Sequence, residues 1–402
     1  VRDGDRTAWT GRTGLTVLCA LLLLGDLGWA LRERAVQELF KVQLLRFSQD
    51  ALVVNVLLGA LPALMALSVG PVIGAWSDRA RTRHGRRIPF IFGTVVVTAL
   101  AMTGMAFADR LATLAGCWIV FEMAAIVGNP LFVALITDTV PHHVVGRFFG
   151  AFRMVSLATG AGFFFTWFGN DLLQVFRPLL LAITAVYLAC MLVVCWRVRE
   201  PDYPPPAPRA RWHPVQQGDG QWAWLFGGVA LGAVAVLPIN INAINASAQF
   251  GVDAAGFGAA IALTYTISLL LAWPLGWLAD RYHPLRLGGV ILVLYMAAML
   301  LAWRLVDGRQ AFLCALVVHG VLSGAFLSGT AALLPVLLPR ERFSQLAAIS
   351  ASVTALFTMI ATVALGALLD ASGRDFSLLY LAGAVVAGAG AGVWCVLLRR
   401  FI

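Results

Sequence analysis

Charge is scarce in this chain: only 12% of its 402 residues are Asp, Glu, Lys or Arg, while 60% are hydrophobic. Soluble domains carry roughly 25% charged residues, so a mean hydropathy of +0.85 excludes an ordinary water-soluble globule. Lysine is almost missing, Lys41 being the one lysine among 29 basic residues. Cysteine is sparse too. Cys19, Cys117, Cys190, Cys195, Cys314 and Cys395 all lie inside apolar runs, away from outer loops and from any His at a metal-ligand spacing. That pattern excludes a disulfide framework and a metal site, and packing roles are expected. His142-His143 has no acidic neighbours to build a catalytic cluster, so no enzyme activity is expected. Gly388-Ala389-Gly390-Ala391-Gly392 lacks the Lys and Ser/Thr of a phosphate loop, and no cofactor is expected. The net charge of +9 has no soluble basic domain behind it, so nucleic acid is not a partner.

What fills the chain instead is long apolar runs. A membrane-crossing helix needs about 20 apolar residues. Twelve such spans are read near 14–38, 50–75, 88–108, 111–138, 147–169, 175–197, 221–245, 253–279, 287–305, 310–338, 344–370 and 376–398. Runs of this length are not the alternating pattern of a membrane β-barrel. The first is read as an uncleaved span, because the apolar pattern continues and no small-x-small cleavage site precedes the second. With the N-terminus inside, inner loops hold 19 basic residues and outer loops 6. Both termini are therefore expected on the cytoplasmic side. The stretch 198–220 carries Pro201, Pro204, Pro205, Pro206, Pro208 and Pro214, which favour extended chain. It reads as a cytoplasmic linker between six-helix bundles at 1–197 and 221–402. The fold class is an all-α membrane protein of two pseudo-symmetric six-helix bundles.

The halves repeat a motif. Gly74-Ala75-Trp76-Ser77-Asp78-Arg79 recurs as Gly276-Trp277-Leu278-Ala279-Asp280-Arg281, each closing one apolar run and preceding another. Such repetition half a chain apart is the mark of a duplicated transporter. The glycines let a neighbouring helix pass close. Asp78 and Asp280 are expected to face positive helix N-termini in the opposite half. Arg79, Arg86, Arg87 and Arg281 are expected to bond facing carboxylates and carbonyls, making a cytoplasmic gate. The bland alternative is that these arginines only set topology.

The six-plus-six layout and paired loops resemble the major facilitator superfamily over the whole chain. The run Ser77-Asp78-Arg79 to Arg83-His84-Gly85-Arg86-Arg87-Ile88-Pro89-Phe90 is similar to the glycoside–pentoside–hexuronide:cation symporters, and more narrowly to the sucrose–proton symporters. Gly25, Gly28-Trp29-Ala30-Leu31 and Asn129 with Leu135-Ile136-Thr137-Asp138 fit the same pattern. Val133 departs from it, standing where those carriers show an Arg. The resemblance implies alternating access, a sugar or glycoside as solute, and Asp138 as the family's span-four acid.

Charges inside spans cost at least ~2.5–3.5 kcal/mol at mid-bilayer, so they are rarely idle. Here they are Asp26, Arg32, Glu33 and Arg34 in span one, Glu122 in span four and Arg153 in span five. Asp26, Trp29 and Glu33 share a helical face by their spacing, as do Glu122 and Asn129. Asp26, Glu33, Glu122, Asp138 and Arg153 are the proton-coupling candidates; a fixed ion pair, such as Glu33 with an outward-snorkelling Arg34, is the alternative. Trp29, Asn129, Asn240, Asn242, Asn245 and His319 are the solute-binding candidates, with helix–helix hydrogen bonding as the rival reading for the amides. The expected protein is a monomeric, proton- or cation-coupled carrier of a small molecule in the bacterial cytoplasmic membrane. A facilitator or drug-type exporter, and a non-transporting membrane assembly factor of the same fold, stay open.

Overall fold

The computed structural model describes residues 12–69, 85–167, 172–200, 220–339 and 343–401. Among them every regular element is helical, and twelve helices are long and apolar enough to cross a membrane. We number them α1 (Arg12–Phe47), α2 (Ala51–Val69), α3 (Ile88–Ala106), α4 (Leu111–Thr139), α5 (His142–Thr166) and α6 (Leu172–Arg197). The second six are α7 (Trp222–Gln249), α8 (Ala254–Tyr282), α9 (Pro284–Leu305), α10 (Arg309–Leu337), α11 (Phe343–Ala371) and α12 (Leu378–Phe401). Gly74, Asp78, Arg79 and most of the 198–220 linker lie outside the described residues.

The helices sort into two compact units. One holds α1, α3, α4, most of α5 and α6; the other holds α2, the end of α5 from Phe164 and α7–α12. In the first unit α1 packs on α6 because its glycines remove bulk. A Cβ on Gly28 would lie 2.8 Å from Cys190 Cβ, so any larger residue would push the helices apart. The helix α1 is 36 residues long, about 54 Å at 1.5 Å per residue. It runs well past the end read from hydropathy. Glu33 and Arg34 therefore sit mid-helix, with helix continuing to Phe47.

In the second unit α2 is held by α11 and α7. Asp370 caps the α2 N-terminus, its two carboxylate oxygens accepting from the N–H groups of Ala51 and Leu52, each at 2.9 Å. No side chain of α2 caps that end, so the cap comes from 318 residues away in sequence. Asn55 and Asn242, both 0% exposed, exchange hydrogen bonds at 3.0 and 3.2 Å, and each also donates to a carbonyl one turn back. The α2 backbone loosens into a π-turn at Val56–Ala60, right after Asn55. The α7 backbone breaks at Val236, ahead of Pro238, whose missing N–H cannot bond back along the helix.

Between α8 and α9, His283 takes φ 74° and caps α9, Nδ1 accepting from the Leu285 N–H at 3.2 Å. Burial and the neighbouring Arg286 hold this imidazole below its ordinary pKa, which keeps the acceptor nitrogen unprotonated. Trp394 on α12 donates to the Leu285 carbonyl at 2.7 Å, locking α12 to the same end of α9.

Candidate functional site

In the first unit α1 and α4 enclose a cavity of about 90 Å³ lined by Arg32, Glu33, Gln37, Glu122, Ile126 and Asn129. Helical spacing explains the grouping: Asn129 follows Glu122 by two turns, and Gln37 follows Glu33 by one. Pro130 sharpens the polarity, because it leaves the Ile126 carbonyl without its helical donor. Arg32 is 1% exposed. Its guanidinium lies 4.7 Å from the Trp29 ring, 5.2 Å from Phe121 and 5.8 Å from Tyr187, and donates to Asn129 Oδ1 at 3.1 Å. Trp29 is itself wedged in place, stacked on Phe132 and edge-on to Tyr187.

The remaining charged candidates of this unit lie elsewhere. Asp26 is buried on α1 with no hydrogen-bond partner for Oδ2 among the described residues. It stands six residues before Arg32, about 9 Å along the axis, and does not line the cavity. Asp138 lies in the last turn of α4, away from the mid-helix Glu122, and its Oδ2 meets Arg87 Nε at 3.4 Å. Arg153 is half-buried on α5, apart from the cavity wall.

In the second unit a buried polar chain crosses three helices. Tyr295 Oη on α9 meets His319 Nδ1 on α10 at 2.9 Å, and His319 Nε2 meets Asn240 Oδ1 on α7 at 3.0 Å. An amide oxygen only accepts, so Nε2 carries the proton and Nδ1 accepts from the tyrosine. Asn240 is exposed at the end of this chain. Asn242 is engaged with Asn55, and Asn245 keeps a buried Oδ1 without a partner among the described residues.

At the start of α3, the N–H groups of Arg86, Arg87 and Ile88 all donate to the Glu200 carboxylate, at 2.8, 2.8 and 2.7 Å. Gly85 makes room: its φ is 104°, and a Cβ there would lie 2.5 Å from Glu200 Oε1. Gly276 lies inside α8 facing open space. Arg281, at the α8 end, stacks on Trp277 and Tyr282 at 5.2 and 5.7 Å. The side chain of Asp280 is outside the described residues.

The family model of the Major Facilitator Superfamily matches residues 8–237. The chain belongs to that superfamily. The curated proteins contain no match to it. Among solved structures, this superfamily member is similar to a bacterial homolog of the human lysosomal transporter Spinster in its inward-facing, occupied conformation. The two share 15% identity over 96% of each chain, with a TM-score of 0.69. The unoccupied form of that homolog gives 0.70 at the same identity and coverage. The nucleoside transporter NupG gives 0.69 at 12% identity, over 95% of this chain and 99% of its own. At such identities the likeness speaks for the fold alone.

Four residues of this major facilitator protein were passed over by the sequence reading and are brought forward by the structure. Arg32 stands in the sequence only as a costly charge, and Gln37 falls in the last turn of the expected span one without drawing a role. Glu200 and Asp370 each cap a distant helix. Their one signal was negative: neither α2 nor α3 has a side chain of its own that caps its N-terminus.

Proposed function

We propose that this chain is a secondary active carrier that moves a small solute, a sugar or glycoside, across the bacterial cytoplasmic membrane by alternating access coupled to protons. The observation that carries this reading is the cavity between α1 and α4. It joins two carboxylates, two amides and an arginine beside an indole ring in a membrane-spanning unit. Charges so placed are expensive and are retained for ion or substrate pathways. In this reading Glu122 carries the coupling proton, with Asp26 as a second titrating site and Glu33, Asp138 and Arg153 modulating the charge around them. Trp29 and Asn129 offer a flat apolar face and hydrogen bonds to the solute. Asn240, Asn245 and His319 supply the polar surface of the second unit, while Asn242 anchors α2.

The same proposal covers organisation. The bundles are 1–197 and 221–402, joined by a cytoplasmic linker, with both termini cytoplasmic and a monomer as the working unit. The paired loops act as the cytoplasmic gate: Gly74, Asp78 and Arg79 with Arg86 and Arg87 on one side, Gly276, Asp280 and Arg281 on the other.

The deciding test is uptake by purified protein in proteoliposomes, using labelled glycosides with and without an inward proton gradient. Accumulation above equilibrium only with the gradient is the expected result. Equilibration that ignores the gradient would make the protein a facilitator. Absence of flux for every solute would leave a membrane assembly role.

A further inference from the structure

Arg32 presents an unusual arrangement for a cation inside a membrane helix. The ring centres of Trp29, Phe121 and Tyr187 lie within 5.8 Å of its guanidinium carbon, and its polar edge is left to the cavity that Arg32 lines. On that edge one nitrogen donates to Asn129, and the buried Nε has no hydrogen-bond partner among the described residues. Glu33 and Glu122 share the cavity wall, yet neither forms an ion pair with Arg32 within 4.0 Å. A guanidinium cannot shed its proton, and it holds its donors in a rigid fork that matches a carboxylate. A buried donor left without an acceptor is costly, and the acceptor that fits this fork is an oxyanion arriving from outside.

We propose that the edge of Arg32 is the recognition site for a carboxylate on the transported solute, so that this carrier moves an organic acid, of which a sugar acid is one kind. The inference rests on the reading of the chain as a carrier and names its substrate class. Three features support it. The cavity is small, about 90 Å³, enough for one ionised group and its hydrogen bonds but not for a whole solute. The two glutamates on its wall repel a dianion such as phosphate more than a single carboxylate. Phe121 lines the cavity beside the guanidinium and gives the bound group an apolar neighbour. The groups facing Glu122 are Arg32 and Glu33 from α1, with Tyr187 of α6 behind the guanidinium. Glu122 is thus the like charge that an incoming carboxylate meets, and neutralising it favours entry of the acid.

The test is calorimetric titration of the purified full chain in detergent with three matched pairs. These are glucuronate and glucose, gluconate and glucitol, benzoate and benzyl alcohol. At least one acid should bind about tenfold or more tightly than its neutral partner. Arg32→Lys, which keeps charge but not the fork, should weaken that acid about tenfold, and Arg32→Gln should abolish the preference. Glu122→Gln should tighten the acid several-fold, a gain that a merely structural role for the cavity would not produce. Equal binding of acid and neutral partner by the parent, no binding of any acid, or a preference that survives Arg32→Gln would each overturn the proposal. Should Arg32→Gln fail to fold, unchanged acid affinity in Glu122→Gln would overturn it instead. Acid binding with these dependences but no flux in proteoliposomes refutes the carrier reading and leaves the anion site standing. Flux of neutral glycosides without acid binding does the reverse.

Discussion

Four ionisable side chains fall within nine positions of α1, from Asp26 to Arg34, and each costs a few kcal/mol in hydrocarbon. The structure separates their roles by surroundings. Arg32 and Glu33 open on a shared cavity with Glu122, whereas Asp26 is sealed in the packing with an unpartnered oxygen. The variants Asp26→Asn and Glu122→Gln keep shape but cannot titrate. If these carboxylates couple the proton, each variant should lose at least about tenfold in pH-driven uptake while solute exchange at equal concentrations persists. Exchange needs only the loaded carrier to reorient, but net uptake also needs the proton to leave. Reconstituted variants assayed for both modes decide it, and parental accumulation in both would remove these two residues from the coupling path. Residue types at these positions were legible in the sequence. That Arg32 forms no ion pair among the described residues was not, because the contact that holds it comes from Asn129, 97 residues on.

At the scale of elements, helix ends tell more than helix bodies. The N-terminus of α3 has Arg87 at its cap position, and no side chain of the helix itself serves it. Three N–H groups converge on Glu200 instead. Removing that acceptor with Glu200→Ala should cost about 1–3 kcal/mol, the range for a lost cap and stranded buried donors. Glu200→Gln keeps an oxygen but not the charge and should cost about half as much. Gly85→Ala should also destabilise, because its backbone is left-handed and the added methyl meets the Glu200 carboxylate. Thermal unfolding in detergent, ranking Ala below Gln below parent, is the measurement; an Ala variant melting with the parent would show that solvent replaces the cap at no cost. The helices themselves were readable from apolar runs, with one informative miss. The α1 helix continues through Lys41 and Arg46 to Phe47, because hydropathy reports the bilayer boundary while helical hydrogen bonding is indifferent to it.

Over the whole molecule, basic residues divide 19 to 6 between alternate loops. Loops rich in Arg resist translocation, so reporter fusions after residue 210 and at the C-terminal end should both read as cytoplasmic. An outward signal at either point would break the twelve-span topology. Packing adds what topology leaves open. The helix α2, second in order, lies with the later helices through the Asp370 cap, the Asn55–Asn242 pair and the close pass at Gly366, where a Cβ would meet Leu52 Cα at 2.7 Å.

The amino-acid order alone determined that this is a twelve-helix membrane protein with a duplicated plan, since bilayer partition and the positive-inside bias act on sums taken along the chain. The duplicated Gly-x-x-x-Asp-Arg loops carried the resemblance to the family. Only the tertiary structure decided which charges meet. The partners of Arg32, Arg86, Asn55 and Ala51 lie 97, 114, 187 and 319 residues away. No local pattern encodes such pairings. They follow from which helices pack together, and the gap left at the edge of Arg32 exists only once α1, α4 and α6 have closed around it.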